Sequence, residues 1–340
     1  MRLLYLMVKP PIWFGLRMFY SKVVIKGETN LPIDRPFLIL PNHQNALMDV
    51  LVVAANLRRN PRFWARADIF KNKKARFWLE SLGISPIFRP RDGMDQMSRN
   101  DETFTRSMDH LKKGTPYFIF PEGSHGRFPR VRPLKKGWAR IAYRLSQETE
   151  AEMGFAPVMI HYVQLDKGGV PVEVEIEPLI ELDAKGQAEP HFAKDALDKV
   201  FTSMTKYSPM ADPDSLSEDD WESWQSKKTS YQNIPLSKKA DLAFIQKLPI
   251  PEDDSSIIFR AWRLIGQLNH FWWIALVSKL SGRFVTDHHF AVTGKFMIFW
   301  MLGPLALLLQ SLIVGWILSS FWIGFSYWVV LHLILPPVKK

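Results

Sequence analysis

The sequence predicts an α/β fold: a mixed, mostly parallel sheet flanked by helices, preceded by an amphipathic N-terminal helix and followed by a C-terminal transmembrane hairpin. Between residues 23 and 207, short apolar runs bounded by proline or glycine alternate with stretches of helical periodicity. Residues 1–22 are basic and aromatic, and residues 296–338 contain no aspartate, glutamate, lysine or arginine. These three observations predict an interfacial segment, an α/β domain and a membrane-directed C-terminal part.

The first segment, residues 1–22, is predicted to be a helix lying in the membrane interface, because it mixes basic with large aromatic side chains. Lys9 and Arg17 interrupt its apolar residues, and Pro10-Pro11 breaks them. It has no continuous apolar core and no small-residue cleavage site, so a signal peptide is not expected. An ordinary amphipathic helix packed on the domain is the alternative.

The α/β domain is predicted to occupy residues 23–207, and its alternating pattern indicates a largely parallel sheet. Its predicted strands cover residues 36–40, 62–65, 86–88, 116–120, 156–162 and 172–180. Its predicted helices cover residues 46–56, 73–82, 101–113, 137–146 and 190–206. The last strand reads as antiparallel and as an edge of the sheet. In such sheets the working residues lie in loops at strand ends.

Three further segments follow the domain. Residues 208–255 are polar and acidic with little periodicity, which predicts a connector. Residues 256–294 turn basic and aromatic, which is typical of an amphipathic approach to the bilayer. Residues 295–340 hold the charge-free run, which fits two short spans better than one.

Gly315, Ser319 and Ser320 are the candidates for the reversal of the predicted hairpin in residues 295–340. Lys295 precedes the charge-free run, and Lys339 and Lys340 follow it. A hairpin would place all three lysines on one side, the cytoplasmic side by the positive-inside bias. The catalytic domain is therefore expected on the cytoplasmic face of a membrane. A buried helical pair in a soluble core is the alternative.

The charge balance favours anionic partners. There are 44 Lys+Arg against 34 Asp+Glu, a net charge of +10. Phosphorylated metabolites, anionic lipid headgroups and nucleic acid all fit that balance. The chain has no cysteine, which excludes disulfides, cysteine zinc sites, iron–sulfur clusters and a cysteine nucleophile. The sequence also shows no metal-ligand cluster, no dinucleotide-binding glycine fingerprint and no nucleophile elbow.

The first candidate cluster is PNHQNALMD, residues 41–49, which follows an apolar strand. Histidine is the usual general base near neutral pH, and a carboxylate behind it fixes the tautomer. Asp49 lies six positions after His43, so on one continuous helix their side chains would point apart. They work as a pair only with His43 in the turn and Asp49 in the following helix. A capping or core histidine beside an unrelated aspartate is the alternative.

The second candidate cluster is FIFPEGSHGR, residues 118–127, where a strand again runs into a turn containing glycine. Such turns expose backbone N–H groups that hold an anion or an oxyanion. Five cations follow before the next predicted helix: Arg127, Arg130, Arg132, Lys135 and Lys136. This arrangement predicts a phosphate site, with a basic surface loop serving only the membrane or solubility as the alternative.

Two weaker signals also lie at strand ends. In IFRPRDG, Arg89 and Arg91 are candidates to clamp a phosphate. FAPV, residues 155–158, marks only the start of a strand. Taken together, the clusters supply a base, its partner, an anion cradle and arginines. That set suits deprotonation of a hydroxyl on a phosphorylated acceptor, followed by direct attack on a bound acyl group.

These motifs, in this order, resemble those of the PlsC-type glycerolipid acyltransferases over residues 31 to 180, about half the chain. NHQNALMD resembles the family's His/Asp block, IFRPRDG the second, FPEGSHGR the third and FAPV the fourth. The resemblance implies a general base and its partner at His43 and Asp49. It places acceptor and phosphate contacts at Arg91 with Arg89 beside it, Glu122, Gly123, Ser124 and Lys135, and the fourth block at Pro157.

The resemblance has one departure. The commonest family pattern places four residues between the histidine and the aspartate, whereas this chain has five, and Met48 occupies the nearer position. The longer spacing is similar to that of certain glycerol-3-phosphate acyltransferases. It leaves open whether the acceptor is glycerol 3-phosphate or an acylated form of it.

The resemblance therefore implies a membrane-bound O-acyltransferase of phosphatidic acid and phospholipid biosynthesis. The expected acceptor is 1-acyl-glycerol 3-phosphate, and the expected co-substrate is the thioester of acyl-CoA or acyl carrier protein. No metal or other cofactor is expected, and the expected partner is the lipid bilayer. A non-catalytic protein that binds anionic lipid is the alternative from another class. Nucleic acid is not expected, because much of the positive charge lies at membrane flanks and near the phosphate loop.

Overall fold

The structure is a computed structural model, and the strands of the α/β domain form one sheet. The structure describes residues 3–33, 35–89, 93, 98–126, 130–149, 152–162, 165, 168–206, 272–273, 275–283, 285 and 290–333. The predicted connector, residues 208–255, lies outside the described residues, as do residues 256–271 of the predicted membrane approach.

Eight strands lie in the described part of the chain: β1 (Lys22–Lys26), β2 (Phe37–Pro41), β3 (Arg62–Arg66), β4 (Ile84–Ile87), β5 (Tyr117–Phe118), β6 (Met153–Tyr162), β7 (Pro171–Ile176) and β8 (Ile180–Leu182). Their order is β1-β7-β6-β2-β5-β3-β4, with β8 pairing β6. All pairs are parallel except β6 with β7 and β6 with β8. The predicted mixed, mostly parallel sheet is confirmed.

The described helices include α1 (Leu3–Phe19), α2 (Ala46–Asn56), α3 (Lys73–Ser81), α4 (Arg99–Lys112), α5 (Gly137–Thr149), α6 (Glu189–Thr205), α7 (Ala291–Ile317) and α8 (Phe321–Leu333). Helices pack on both faces of the sheet. One core cluster joins α1, α2 and the start of α7 to the sheet. The other joins α4, α5 and α6 to the opposite face. Strand β2 is buried along its whole length because helices cover it on both sides.

The predicted strand 172–180 is wrong in its extent and position. It is two strands, β7 and β8, and Pro178 lies between them, where its missing N–H cannot pair in a ladder. Strand β7 is antiparallel to β6, as expected, but it is not an edge. The unpredicted β1 pairs with it in parallel, with Val23 opposite Val172.

The first segment forms a helix, α1, which continues through Pro10 and Pro11. Prolines at these positions leave the carbonyls of Leu6 and Met7 without helical donors. Both of those residues are exposed, so the carbonyls lie where solvent or headgroups reach them. The opposite side of α1 packs on α2, and the Tyr5 hydroxyl donates to the Ala54 carbonyl over 3.2 Å. Helix α1 is thus anchored on the domain and still carries an exposed apolar side.

The C-terminal helices α7 and α8 pack against each other as an antiparallel pair, with the reversal at residues 318–320. They approach closely at two glycines, because a Cβ on Gly324 would lie 2.9 Å from the Cα of Gly315. Small residues allow this kind of contact between apolar helices. Within the described residues one helix, α7, is long and apolar enough to cross a membrane. The second crossing of the hairpin stays a prediction.

Helix α7 differs from the core helix of a soluble protein, since most of its apolar side chains beyond Trp300 are exposed. Its first turns pack on the domain, where the Trp300 indole N–H donates to the Pro11 carbonyl over 3.0 Å. Trp273, from the predicted membrane approach, stacks on Phe299 with ring centroids 5.2 Å apart. The domain and the apolar helices are therefore joined through α1 and α7.

Candidate active site

The imidazole of His43 and the carboxylate of Asp49 meet at the C-terminal end of β2. His43 lies in the turn after the strand, and Asp49 lies in the first turn of α2. The His43 Nδ1 is 2.8 Å from the Asp49 Oδ2. The Asp49 side chain is 0% exposed and that of His43 is 13% exposed. The geometry that the six-residue separation requires is therefore present.

Four donors converge on the Asp49 carboxylate. Besides the His43 ring, the backbone N–H groups of Gln44 and Asn45 each donate to Oδ2 over 2.8 Å. The Tyr162 hydroxyl donates to Oδ1 over 2.8 Å. Because an ionised carboxylate only accepts, the His43 proton lies on Nδ1 and the lone pair on Nε2. Burial and then the Asp49 charge raise the pKa of Tyr162 well above its ordinary value, so its hydroxyl stays a donor.

A second loop fixes the plane of the His43 ring. Phe120 follows β5, the parallel neighbour of β2, so both loops leave the same edge of the sheet. The Phe120 ring stacks on His43 with centroids 3.5 Å apart and planes 8° apart. The His125 ring approaches edge-on at 5.4 Å. The His43 ring is therefore held by Asp49 at Nδ1 and by the stacked Phe120 ring on one face.

The carboxylate of Glu122 accepts hydrogen bonds from neighbouring protein groups in this loop. It is 2% exposed, accepts the His43 backbone N–H over 3.2 Å, and accepts the Arg132 Nε–H over 2.6 Å. Arg132 also donates to the Ser124 hydroxyl over 2.9 Å. Burial raises the pKa of Glu122 to about 7, although the Arg132 guanidinium beside it lowers that pKa. The pair ties the Glu122–Ser124 turn to the His43 loop.

The turn at Gly123 packs against Lys135, one of the predicted phosphate contacts, close to the His43 loop. Gly123 has a φ of 74°, in the left-handed region that glycine tolerates best. A Cβ there would lie 3.0 Å from the Cγ of Lys135, so the lysine stem packs against the glycine. The Lys135 backbone N–H donates to the Pro121 carbonyl over 2.8 Å. Gly123, Ser124 and Lys135 therefore form one exposed rim beside His43.

The predicted arginines of the second block do not join this cluster in the described residues. Arg89 follows β4, and its guanidinium is 4.0 Å from the Asp68 carboxylate. Strand β4 lies three strands from β2, which is about 14 Å at the usual strand spacing. Arg91 lies outside the described residues. The phosphate contact of either arginine stays a prediction.

The sequence pattern does not single out several neighbours of His43 and Asp49. Tyr162 ends β6 next to β2, and Phe120 stands just before the glycine turn. In the sequence Arg132 is one of five cations between residues 127 and 136. Asn42 fixes the base of the loop, because its side-chain amide both accepts from the Ile160 N–H over 2.7 Å and donates to the Ile160 carbonyl over 3.2 Å. A polar residue at the end of a neighbouring strand was the available signal for Tyr162.

The described residues contain no group of three or more histidine, cysteine, aspartate or glutamate side chains placed to hold a metal ion. The cluster consists of a histidine hydrogen-bonded to a buried carboxylate, beside a glycine turn and a lysine.

We expect the change Glu122→Gln to remove a pH-dependent part of the free energy of unfolding. The folded-state pKa, about 7, lies above the ordinary value of 4.5. The folded protein therefore binds more protons than the unfolded chain in this window. That stabilisation is complete below pH 4.5 and is lost as the pH rises through 7. The difference across the window is about 3 kcal/mol.

Unfolding in detergent, followed by tryptophan fluorescence at several pH values, measures this difference between wild type and variant. The change Glu148→Gln, at an exposed glutamate of α5, is the matched control and should leave the pH profile as in the wild type. A profile that Glu122→Gln also leaves unchanged would show that Glu122 keeps an ordinary pKa in the folded protein.

Comparison with known proteins shows that the part of the chain holding this cluster is similar to acyltransferases. Residues 22–161 match the model of the acyltransferase family. The chain is 32% identical over 133 residues to a chloroplastic 1-acyl-sn-glycerol-3-phosphate acyltransferase of Brassica napus, covering 38% of this chain and 37% of the relative. It is 31% identical over 133 residues to the corresponding protein LPAT1 of Arabidopsis thaliana, covering 38% and 35%.

The chain thus spans little more than a third of the length of these curated relatives. Among solved structures, it is similar to the crystal structure of the 1-acyl-sn-glycerophosphate acyltransferase PlsC from Thermotoga maritima. The sequence identity is 24% and the TM-score 0.40, with 58% of this chain and 77% of that chain covered. The family match includes His43, Asp49, the Glu122–Ser124 turn and Lys135.

Proposed function

We propose that this chain, whose residues 22–161 match the acyltransferase family model, is a PlsC-type enzyme that acylates 1-acyl-glycerol 3-phosphate. One observation carries the proposal most directly: the His43 Nδ1 lies 2.8 Å from the buried Asp49 carboxylate. That contact leaves Nε2 as the basic atom of the site. The glycine turn and Lys135 next to it fit an anionic, phosphorylated acceptor.

The proposed reaction needs no covalent acyl-enzyme. Nε2 of His43 takes the proton of the acceptor hydroxyl as its oxygen attacks the thioester carbonyl. A carbon–oxygen bond forms, the carbon–sulfur bond breaks, and the imidazolium returns the proton to the thiolate that leaves. Asp49 stabilises the imidazolium between these two proton transfers. Holding hydroxyl and thioester together makes the attack effectively unimolecular.

We assign the developing oxyanion and the acceptor phosphate to the second loop. Backbone N–H groups at Gly123 and Ser124 are the proposed oxyanion donors. Lys135 is the proposed phosphate contact, since it packs on Gly123 and its side chain is exposed. Arg91 and Arg89 remain proposed as further phosphate contacts. Glu122 then acts indirectly, by holding Arg132 and the His43 backbone in place.

The membrane is the proposed partner, because α1 and α7 both expose apolar side chains on one side of the domain. Helix α7 is long enough to cross a bilayer, and α1 lies beside its first turns. Acyl chains would then reach the site from the bilayer, with the domain on the cytoplasmic face. Acyl-CoA and acyl carrier protein both remain proposed donors.

A thioester-release assay with the purified full chain tests the function. 1-Acyl-glycerol 3-phosphate and glycerol 3-phosphate compete as acceptors, each with acyl-CoA and with acyl-acyl carrier protein. We expect release of free thiol that depends on the acceptor, with the monoacylated acceptor preferred. Binding of phosphatidate without thiol release from any donor would contradict the enzyme assignment and support a lipid-binding protein.

A second acceptor has one observation in its favour. The five residues between His43 and Asp49 are accommodated by a turn in which Ala46 has a φ of 43°. This departure from the commoner four-residue spacing resembles certain glycerol-3-phosphate acyltransferases. Faster release with glycerol 3-phosphate in the same assay would establish that acceptor instead, and the reaction type would stand.

A further inference from the structure

Helix α3 carries an exposed aromatic and basic surface that the acyl-transfer site does not use. Phe77 is 64% exposed and Trp78 is 56% exposed, and their rings touch at 5.6 Å between centroids. Ile69, just before the helix, is also exposed. We call these three side chains, with Lys73 and Lys74, the α3 patch. Burying them against another surface would remove large apolar rings from water.

The charges of the α3 patch are placed beside its rings. Lys73 and Lys74 lie four residues before Phe77 and Trp78, and residues at that spacing are neighbours on a helix surface. Glu80 is the one acid within the helix, Lys73–Ser81. Aromatic rings mixed with lysines are typical of segments that sit at an anionic membrane surface. The patch is complementary in charge and polarity to anionic headgroups over acyl chains.

The end of α3 lies on the same face of the sheet as α1. Leu82, directly after α3, packs against the core cluster that holds α1 and α2. Tyr5 of α1 contacts the Phe63 ring at 6.2 Å, and the Phe63 N–H donates to the Gly83 carbonyl over 3.1 Å. The end of α3 and the first half of α1 therefore meet at the start of β3, on one face of the sheet.

Exposed apolar residues also lie along α1 and α7, which pack on this face of the sheet. On α1 they are Leu3, Leu6, Met7, Trp13 and Phe14, and α7 follows from Met301 onward. Helices α4, α5 and α6 pack on the other face of the sheet. The α3 patch thus shares its face with the two helices proposed to contact lipid.

We propose that the α3 patch is a separate membrane contact that binds the surface of an anionic bilayer. It goes beyond the proposed function, since neither acyl transfer nor attachment through α1 and α7 requires it. The α3 patch and α7 would contact the membrane at two separate points. Two points of contact would fix the tilt of the α/β domain on the membrane. An acidic protein partner would suit the charges equally, but the position of the patch on the same face of the sheet as α1 and α7 favours lipid.

The absence of native cysteine makes a direct test possible. The full chain with the single change Trp78→Cys carries an environment-sensitive fluorophore and is reconstituted in vesicles containing phosphatidylserine. Lipids with a spin label near the headgroup act as quenchers. Lys194→Cys, on the exposed side of α6, carries the same label as the matched control. We expect strong quenching at residue 78 and none at residue 194.

The charge requirement is tested in the same labelled chain by Lys73→Gln and Lys74→Gln. Each lysine removed should weaken docking of the patch by about five-fold, on the scale of a lysine at an anionic surface. Quenching should also fall in vesicles without phosphatidylserine. Equal, weak quenching at residues 78 and 194 in every lipid would overturn the proposal. A spectral change at residue 78 only on adding acyl carrier protein would overturn it in favour of a protein partner.

Activity in detergent separates this proposal from the function. The α3 changes lie outside the acyl-transfer site, so thioester release by the detergent-solubilised variants should match the wild type and shows that they are folded. If the variants lose lipid contact and keep full activity, the result tests the α3 patch and leaves the proposed function unaffected. If the wild type shows no thioester release, the proposed function is wrong and the patch is not tested by that result.

Discussion

Replacing His43 with alanine is expected to lower kcat/KM for acyl transfer by about 100- to 10,000-fold, the usual scale for loss of a general base. The change removes the atom that accepts the hydroxyl proton, Nε2. It leaves the Asp49 carboxylate with its donors from Gln44, Asn45 and Tyr162. The loop should therefore keep its shape while the reaction slows.

The matched control is His191→Ala, which removes an exposed imidazole on α6, on the far face of the sheet. Thioester release with saturating donor, in detergent, is measured for both variants and the wild type. We expect the control to keep wild-type activity. If His43→Ala keeps full activity as well, His43 is not the base.

The change Asp49→Asn is expected to lower kcat/KM on a similar scale, about 100- to 10,000-fold, because it disables the same base. The carboxylate accepts from four donors, and an amide presents its own N–H₂ to part of that set. With the amide nitrogen facing Nδ1, the His43 proton moves to Nε2, and the ring loses its basic atom toward the acceptor. The imidazolium also loses the opposite charge that stabilises it.

Asp109→Asn makes the same chemical change at an exposed position of α4 and is expected to leave the rate unaltered. Circular dichroism and tryptophan fluorescence of Asp49→Asn, compared with the wild type, establish that the variant is folded, since Asp49 is buried. A folded Asp49→Asn with wild-type kcat/KM would show that the imidazole works without its carboxylate.

Local chemistry explains which parts of the site are predictable from sequence. His43 and Asp49 come from one strand–turn–helix unit, so the strand and the helix that follows it already determine that they meet. The Glu122–Ser124 turn reaches the same edge because β5 is the parallel neighbour of β2. The second conclusion needs only the rule that parallel strands end at one edge of the sheet.

Contacts between distant segments explain what is missed. Tyr162 lies 113 residues from Asp49, and only the placement of β6 beside β2 brings its hydroxyl to the carboxylate. Arg132 resembles a phosphate contact because it is one cation among several. The buried Glu122 carboxylate requires a partner, and Arg132 supplies it. Such a pairing depends on burial, which composition does not reveal.

The same distinction holds for the fold. Helix α2 begins and ends at the predicted residues, since its period and its strand boundaries are local. Strand β1 and the interior position of β7 depend on a pairing between residues about 150 apart, Val23 with Val172. Helix α1 continues through Pro10 because the carbonyl that loses its helical donor lies on the exposed side of the helix. The order of residues in the sequence does not show which side of α1 faces the domain.

The most direct measurement is kcat/KM of the double variant His43→Ala/Asp49→Asn beside the two single variants. If Asp49 acts through the His43 imidazole, the double variant is no slower than His43→Ala alone, because residues that act as a unit are not additive. Losses that multiply, with Asp49→Asn slowing the reaction equally in the absence of His43, would mean that the 2.8 Å contact is structural and that the two side chains do not form the catalytic pair.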